Sequence, residues 1–418
     1  MSNIFESLLT VVAPIARNFT ESGYRLYLVG GVVRDALLAN RFVVSDLDLT
    51  TDASPEVIRK LVTKKADAIW LQGEKFGTIG LRIGDHNFEI TTHRSESYLD
   101  DSRKPVVVFS KSLDEDLARR DFTINAMAVD AVSGDFHDPF GGESDLKTKI
   151  LKTPLDPQES FSDDPLRMLR AARFIAAYSL TPDGDLVDAA ANLIDRLSIV
   201  SSERVRDEIF RLLCLDEPYF GFELLVEIGA LGKLFPEIMS LDQPSRLKAF
   251  NRLSLVQKKS TVRLAALFFD VELNSVSERI KFLRLSRKDS TMILKLLQQT
   301  QIINSKPLEF VWSDEAVRRF FLTTTEEYFD AVLDFAKSLG INDHGLEVAF
   351  KKLLAVEELS DLRPALDGQQ VMSILNLSSG SEVGKALEWL VELRLRKGQL
   401  PLDQVEFLLA EWWDTQTD

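Results

Sequence analysis

Two aspartates, Asp46 and Asp48, stand two residues apart in SDLDLTT, a segment in which polar and apolar residues alternate. On a β-strand, residues i and i+2 project from the same face, so the two carboxylates converge while Leu47 and Leu49 point into the core. Paired oxygen ligands suit Mg²⁺, which typically uses one or two carboxylates together with substrate phosphates. The alternative interpretation is a solvated strand end that carries two unrelated acids.

A glycine-rich turn precedes this segment, in LVGGVVRD. Because Gly30 and Gly31 lack Cβ atoms, the backbone there can approach a triphosphate closely. Arg34 lies on the helix that follows and can neutralise phosphate charge. Taken alone, the turn is equally consistent with an ordinary strand-to-helix connection, but beside the paired acids it favours a phosphate site.

A charged cluster, Arg119, Arg120 and Asp121, stands just before the half-apolar stretch FTINAMAVD. An isolated Arg-Arg-Asp sequence is most often a charged helix face, and that alternative stays open at this point.

A second charged cluster repeats every three residues in SDDPLRMLRAARF and consists of Asp164, Arg167, Arg170 and Arg173. At 100° per residue, the first three share one side of a helix and Arg173 lies farther round. The competing interpretation is structural: an aspartate before Pro165 is a good helix cap, and Asp/Arg pairs at this spacing are common on surfaces.

The elements that must position these residues change character along the chain. The first 150 residues alternate strand-like and helix-like patterns, with strands expected at YRLYLVG, SDLDLTT, TIGLRI and NFEITTH. Apolar residues after Pro165 follow helical spacing almost throughout. The sequence therefore predicts an α+β protein, with an α/β head followed by an all-helical remainder. The polar stretch 94–112 is expected to form a long mobile loop.

Composition limits the function classes. The chain has 418 residues, 45% of them hydrophobic and 28% charged, which excludes a disordered or fibrous protein. Its net charge of −15 makes it a poor general binder of polyanions, so RNA contact must come from local basic patches and metal ions. Apolar runs are too short to cross a membrane, the N-terminal segment is expected to be a helix rather than an export signal, and Cys214 is expected to be buried. We expect a cytoplasmic protein.

Taken together, the motifs resemble those of class II CCA-adding tRNA nucleotidyltransferases, within the superfamily that includes bacterial poly(A) polymerases. The matching segments occur in the family's order over about the first half of the chain: VGGVVRD with SDLDLTT, GEKFGTIGL, FEITTHRSESYLDDSRKP, RRDFTINAMA, DPFGG, DDPLRMLRAARF and SERVRDEI. The resemblance implies a nucleotidyltransferase head that uses Mg²⁺, with CTP, ATP and tRNA as partners and no membrane association.

The resemblance also assigns roles to individual residues. It implies that Asp46 and Asp48 bind the metal and that Glu89 is a further active-site carboxylate. It implies a larger nucleotide-binding set, which comprises Gly31, Arg34, Arg120, Asp121, Asp164, Arg167, Arg170 and Arg173. The family usually has Glu-Asp where this chain has Asp163-Asp164, and the second acid is retained.

The chemistry of Asp164 and Arg167 fits this assignment. An ionised carboxylate only accepts hydrogen bonds and a guanidinium only donates them. Cytosine and adenine each present an amino donor beside a ring-nitrogen acceptor, whereas uracil and guanine place a carbonyl oxygen where the amino group should be. Two metal ions can activate a tRNA 3′-hydroxyl and stabilise departing pyrophosphate without a histidine base. The implied reaction is template-independent CCA addition.

The resemblance divides the chain into a head (1–150), a helical neck that recognises the base (151–215), a helical body (216–330) and a tRNA-binding tail (331–418). The body resembles a degenerate His-Asp phosphohydrolase domain, because Phe269 stands where a histidine is expected before Asp270. Six basic residues against Asp289 could face tRNA or form a solvated helix face, namely Arg279, Lys281, Arg284, Arg287, Lys288 and Lys295. In the tail, Gly380 and Gly384 are expected to open a helix, and Trp412 and Trp413 are expected to pack within the tail.

Several functional alternatives stay open on the sequence alone. The chain could be a poly(A) polymerase, an enzyme that adds only CC or only A, or an inactive RNA-binding protein. Retention of Asp46 and Asp48 argues against an inactive protein. The sequence leaves the oligomeric state open.

Overall fold

The computed structural model describes residues 5–38, 46–97, 106–359 and 362–417. The chain forms two compact units, Met1–Asp242 and Gln243–Asp418. The finer division into head, neck, body and tail remains a prediction.

The strands belong to the first unit. They are β1 Leu26–Val29, β2 Asp46–Thr51, β3 Ala68–Trp70, β4 Thr78–Ile83, β5 His86–Thr92, β6 Arg94–Ser97, β7 Val106–Phe109, β8 Ala128–Asp130, β9 Phe136–His137, β10 Ile150–Leu151 and β11 Thr181–Pro182. Seven of them form one mixed sheet in the order β3-β4-β5-β2-β1-β8-β9. In this sheet β2 runs parallel to β5, and the other neighbouring pairs are antiparallel.

The helices of the first unit pack on both faces of the sheet and continue beyond it. They are α1 Glu6–Glu21, α2 Gly31–Leu37, α3 Pro55–Val62, α4 Leu113–Ala118, α5 Gly142–Thr148, α6 Pro157–Asp163, α7 Leu166–Tyr178, α8 Gly184–Asn192, α9 Ser202–Leu213, α10 Tyr219–Glu227, α11 Ala230–Leu234 and α12 Pro236–Met239. A 3₁₀ turn spans Thr123–Asn125. The predicted α/β head followed by helices is confirmed.

Alternation along the strands separates a core face from an open face. Leu47, Leu49, Phe88 and Ile90 are buried in a core that includes residues of α1 and α3. Their polar neighbours in sequence lie on the opposite face of the sheet. This arrangement follows from the two-residue period of a strand. A second apolar cluster with Leu117 covers the opposite face at β1 and β8, and the same face stays exposed at β2 and β5, where a site can form.

The loop predicted over residues 94–112 is wrong at both of its ends. β6 and β7 pair in antiparallel register as a separate two-stranded sheet, and Ser112 then caps α4 by accepting from the backbone N–H of Glu115. The run VVVF is rich in β-branched residues, which favour a strand once a partner is available. The middle of the predicted loop, residues 98–105, lies outside the described residues.

The second unit is helical throughout the part of it that the structure describes. Its helices are α13 Gln243–Leu255, α14 Ser260–Leu267, α15 Leu273–Phe282, α16 Arg287–Asn304, α17 Asp314–Thr324, α18 Glu326–Ser338, α19 Leu346–Leu354, α20 Gly368–Leu375, α21 Ser381–Lys397 and α22 Leu402–Thr417. Glu357 is buried between Arg318 and Arg394, with closest N–O distances of 2.6 Å to each. This ion triad ties α17 to α21.

Three smaller predictions have clear outcomes. Gly380 directly precedes α21, and the ring of Trp412 stacks on Trp389 at 5.0 Å between centroids, so both tail predictions are confirmed. The prediction that Cys214 is buried is wrong: the residue ends α9 on its exposed side. Across the described residues, no helix is both long enough and apolar enough to span a membrane.

Candidate active site

The paired acids open strand β2 on the face of the sheet away from the core. Asp46 and Asp48 both reach solvent, whereas Leu47 between them is buried. The amide of Asn87 donates to Asp46 Oδ1 at 3.0 Å. On the neighbouring strand β5, Glu89 stands directly opposite Asp48 and therefore projects from the same face. Three carboxylates thus lie on one face of the sheet, on its two neighbouring strands β2 and β5.

The pKa values of two of these carboxylates, Asp48 and Glu89, are raised by their surroundings. Burial raises the pKa of Asp48, Arg120 counteracts this, and Asp46 raises it further. Burial likewise raises the pKa of Glu89, and the charges of Asp48 and Asp46 add to the effect. A cation placed among these groups would relieve both the repulsion and the desolvation.

The donor set can be tested against a divalent cation. Among the described residues, no group of three or more His, Cys, Asp or Glu side chains converges closely enough to hold an ion by itself. Mg²⁺ commonly takes one or two protein carboxylates and completes its shell with water and substrate phosphates. Asp46 and Asp48, with solvent access and mutual repulsion, fit that pattern.

The glycine turn predicted beside the acids lies close to them. Gly30 has φ +74°, a conformation that side chains rarely adopt. A Cβ at Gly30 would lie 3.2 Å from Arg120 Nη1 and 3.7 Å from Asp48 Oδ2. Glycine therefore keeps this corner open, and it brings the turn, Arg120 and the paired acids into one recess.

Arg34 is buried and already has protein partners. Its Nη1 donates to Asn125 Oδ1 at 2.5 Å and its Nε donates to Asp35 at 2.9 Å. The guanidinium also lies 4.3 Å from the centroid of the Tyr178 ring. Arg34 thus joins α2 to the 3₁₀ turn and to α7, and its predicted contact with a triphosphate remains a prediction.

A fully buried carboxylate that sequence reasoning missed, Asp116, positions both arginines of the Arg-Arg-Asp cluster. Its Oδ1 pairs with Arg119 Nη2 at 2.7 Å, and its Oδ2 pairs with Arg120 Nη2 at 3.1 Å. Burial alone would raise the pKa of Asp116, but Arg120 and Arg119 outweigh it and lower the pKa to about 2. The signal in the sequence was the spacing of three and four residues along one helix.

Asp121 is also buried, and it connects the head to helix α7. It accepts from Arg170 Nε at 2.8 Å, from the Asn125 amide at 2.9 Å and from the Phe122 backbone N–H at 2.9 Å. Burial would raise the pKa of Asp121, but Arg170 and the Asn125 hydrogen bond outweigh it and lower the pKa. Asp121 and Arg170, both predicted site residues, therefore act here as a framework pair.

The side chains of the remaining cluster residues on and before α7 have partners outside the cluster. Asp164 accepts from the Leu166 backbone N–H at 3.2 Å, as a cap does, and its other oxygen pairs with Arg204 at 2.7 Å. Arg167 donates to Ser160 Oγ at 2.7 Å and to the backbone carbonyl of Arg119. Asp164 thus makes the backbone contact that the capping interpretation expects, although Pro165 is the residue directly before α7, and Arg167 contacts the head.

A cavity of about 220 Å³ lies where α7 meets the head. Its lining includes Arg119, Arg120, Ser160, Asp163 and Arg167. Two arginines of this lining are those held by Asp116, so the cavity adjoins the recess that contains the paired acids.

Glu208 in SERVRDEI is a second buried carboxylate that sequence reasoning did not single out. Its Oε2 accepts from Arg173 Nε at 2.7 Å, and its Oε1 pairs with Arg211 at 3.1 Å and with Arg170 at 3.6 Å. The structure therefore directs Arg173 toward α9. The signal was an acid in a helix that follows a run of regularly spaced arginines, but its partner Arg173 is 35 residues away in sequence.

Comparison with known proteins assigns a class to this fold and site. Residues 26–152 match the family model described as "Poly A polymerase head domain", and residues 179–241 match "Probable RNA and SrmB- binding site of polymerase A". The part of the first unit that contains the mixed sheet thus has the head domain of the poly(A) polymerase class.

Full-length relatives narrow the class to one family. The CCA-adding enzyme of Bacillus licheniformis is 31% identical over 90% of this chain and 88% of its own length. That of Bacillus velezensis is 30% identical over 96% of this chain and 97% of its own length. The chain belongs to the family of CCA-adding enzymes.

Solved structures show the same fold over the whole chain. The Bacillus stearothermophilus CCA-adding enzyme in complex with CTP has a TM-score of 0.73 at 24% identity, covering 100% of this chain and 99% of its own. The Thermotoga maritima CCA-adding enzyme complexed with tRNA has a TM-score of 0.62 at 20% identity, covering 97% and 96%.

Proposed function

We propose that this chain adds CCA to the 3′ ends of tRNA from CTP and ATP, without a nucleic-acid template and with release of pyrophosphate. The observation that carries this proposal is the single recess formed by Asp46 and Asp48, the Gly30 turn and Arg120. The cytoplasmic location expected from the sequence is part of the proposal.

Mg²⁺ is the proposed cofactor, and Asp46 and Asp48 would hold it, with Glu89 on the next strand adding negative charge. The bound ion supplies a more acidic attacking hydroxyl and neutralises charge on the phosphates. Arg120 lies beside Asp48 and can neutralise a phosphate oxygen as charge develops there. The open backbone at Gly30 and Gly31 lets phosphate groups approach without steric conflict.

Base choice is proposed to lie with Asp164 and Arg167. Arg167 offers donors to the acceptor nitrogen of cytosine or adenine, and a carboxylate oxygen of Asp164 accepts from the amino group. Arg204 shares that carboxylate at 2.7 Å, so a bound base would compete with Arg204 or rotate the acid slightly. Uracil and guanine would direct a carbonyl oxygen at the carboxylate, which is repulsive.

The test is extension of tRNA that lacks its CCA end, with Mg²⁺ and labelled CTP and ATP. The proposal predicts growth by three nucleotides followed by arrest, and no growth with UTP or GTP alone. A long adenylate ladder would indicate a poly(A) polymerase. Growth by only two nucleotides, or only after CC is already present, would indicate a partial enzyme. Binding without growth would indicate an RNA-binding protein.

A further inference from the structure

One row of paired residues crosses four strands of the sheet and starts at the paired acids. Its members are in direct register, Asp48 with Glu89, Glu89 with Gly80, and Gly80 with Trp70. Directly paired residues project from the same face of a sheet. The row therefore lies on the open face and runs roughly 14 Å from β2 to β3, at about 4.8 Å per strand.

Trp70, at the far end of this row, is unusually exposed for its type. It is 43% exposed, although tryptophan is normally well buried. Its ring packs over Gly80, where an added Cβ would lie 3.2 Å from ring atom Cε3. Since Gly80 has no side chain, the indole can lie directly against the backbone of β4, next to Glu89 in the same row.

The neighbouring residues on the same face are mostly polar: one adjacent row consists of Asp46, Asn87, Arg82 and Ala68. Arg82 pairs with Asn87, and Thr78 pairs with Thr91. The Arg82 side chain is exposed. An exposed indole with a nearby guanidinium is a combination that binds single-stranded nucleic acid, because bases stack on the ring and phosphates contact the cation.

The opposite side of the paired acids, toward β1, is where the proposed triphosphate site lies. In the sheet, β2 has β5 on one side and β1 on the other. The β1 side contains the Gly30 turn, Arg120 and the cavity beside α7. In phosphoryl transfer the attacking and leaving oxygens lie roughly in line, on opposite sides of the phosphorus. If the triphosphate binds on the β1 side, the RNA end that carries the attacking hydroxyl must approach from the β5 side.

We propose that Trp70, Gly80 and Arg82, here called the Trp70 platform, bind the single-stranded 3′ end of the RNA acceptor. A base stacks on the indole and Arg82 faces a backbone phosphate. Aromatic stacking tolerates any base, and this suits an end whose sequence changes with each addition. This proposal rests on the proposed function, because the ligand of the platform is the tRNA end that CCA addition would extend.

The experiment compares Trp70→Ala, Trp70→Phe and Leu71→Ala with the wild-type chain in the tRNA extension assay. Leu71 is a matched control, since it adjoins Trp70 and is also 43% exposed. We expect Trp70→Ala to raise KM for tRNA about tenfold, the typical loss for one stacked base, while KM for CTP changes less than about twofold. Trp70→Phe should recover most of the loss, and Leu71→Ala should resemble the wild type.

Equilibrium binding of tRNA that lacks CCA, measured on the same variants, should show the same order. An active Trp70→Ala enzyme with wild-type KM for tRNA would overturn the platform while leaving the proposed function intact. Equal loss in Leu71→Ala, or an equal rise in KM for CTP, would also overturn it by revealing a general structural effect. A wild-type chain that extends no tRNA would overturn both proposals.

Discussion

At the scale of single residues, Asp116 links the recess around the paired acids to the segment that contacts α7. One of its oxygens holds Arg120, which borders Gly30 and Asp48. The other holds Arg119, whose backbone carbonyl accepts from Arg167. A single buried carboxylate thus fixes the arginine beside the paired acids and the segment that contacts α7.

We predict that Asp116→Asn lowers the free energy of unfolding by about 2 kcal/mol at pH 7, because a charge that satisfies two arginines is removed. The folded-state pKa of Asp116, about 2, lies below its ordinary value of 3.8. Its stabilising contribution is therefore complete above about pH 4 and is lost as the pH falls toward 2. Urea unfolding of both proteins at pH 7, 4 and 2.5 measures the difference, which should shrink below pH 4.

Asp114→Asn is the matched control for this prediction. Asp114 lies on the same helix, and its side chain is 63% exposed and pairs with His137 at 2.6 Å. Exposed pairs contribute little, so this variant should stay within about 0.5 kcal/mol of the wild type. Equal destabilisation by both variants would show that Asp116 has no special role.

Single residues were predictable where the pattern was local. Alternation in SDLDLTT correctly placed Asp46 and Asp48 on one face, and Pro165 correctly indicated that Asp164 makes a capping contact at the start of a helix. Glu208 was missed because its partner Arg173 is 35 residues away, and nothing in the spacing links the two. The prediction for Cys214 was wrong for a different reason. Its apolar neighbours Leu212 and Leu213 are buried, but Cys214 itself follows the last residue of α9 and is exposed to solvent.

Helix α7 owes its position at the element scale to close contact with its neighbours. Gly221 on α10 lies against it, and a Cβ there would come within 2.7 Å of the Ala172 backbone oxygen and 2.5 Å of Leu212 Cδ1. Neither backbone atoms nor a packed core can yield that much without cost. Glycine therefore sets the distance between α10 and the helix that carries Arg167 and Arg170.

We predict that Gly221→Ala destabilises the chain by about 1–3 kcal/mol, the usual cost of overpacking, although alanine has the better helix propensity. The control is Gly184→Ala at the start of α8, where an added Cβ meets nothing within 4 Å. Thermal unfolding should show a lower Tm for the first variant and an unchanged or higher Tm for the second. A Tm for Gly221→Ala equal to that of the control would contradict the proposed close packing.

Elements were predictable where periodicity was strong and failed where pairing was nonlocal. The strands around Asp48 and Glu89 and the helix after Gly30 lie where alternation and turn residues indicated. β6 and β7 were missed because each is four residues long and becomes a strand only by pairing across the segment between them. Local polarity favoured a loop, and tertiary pairing overrode it.

Net charge sets the problem of RNA binding at the scale of the whole molecule. At −15, the chain as a whole repels a polyanion, so local basic residues must supply the attraction. Arg287 and Lys288 open α16 and both are exposed. They belong to the basic segment that the sequence indicated as a candidate tRNA contact.

We predict that the double variant Arg287→Gln, Lys288→Gln raises KM for tRNA on the order of tenfold at low salt and reduces the slope of log KM against log salt by about 2. KM for CTP should not change. The matched control is Lys64→Gln, Lys65→Gln, an exposed adjacent pair in the first unit. If both double variants raise KM for tRNA equally, the rise comes from the change in net charge, and the proposed tRNA contact at Arg287 and Lys288 is refuted.

The paired acids are the centre of the whole account, and Asp48→Ala tests them most directly. Asp85→Ala, at an exposed acid between β4 and β5, serves as the control. The measurement is single-turnover incorporation of CMP into tRNA that lacks CCA, with tRNA affinity determined in parallel. We expect Asp48→Ala to lose on the order of 10³-fold in rate, the loss of several kcal/mol of transition-state stabilisation, with tRNA affinity within about twofold of the wild type. Incorporation by Asp48→Ala at the rate of the control would contradict the account.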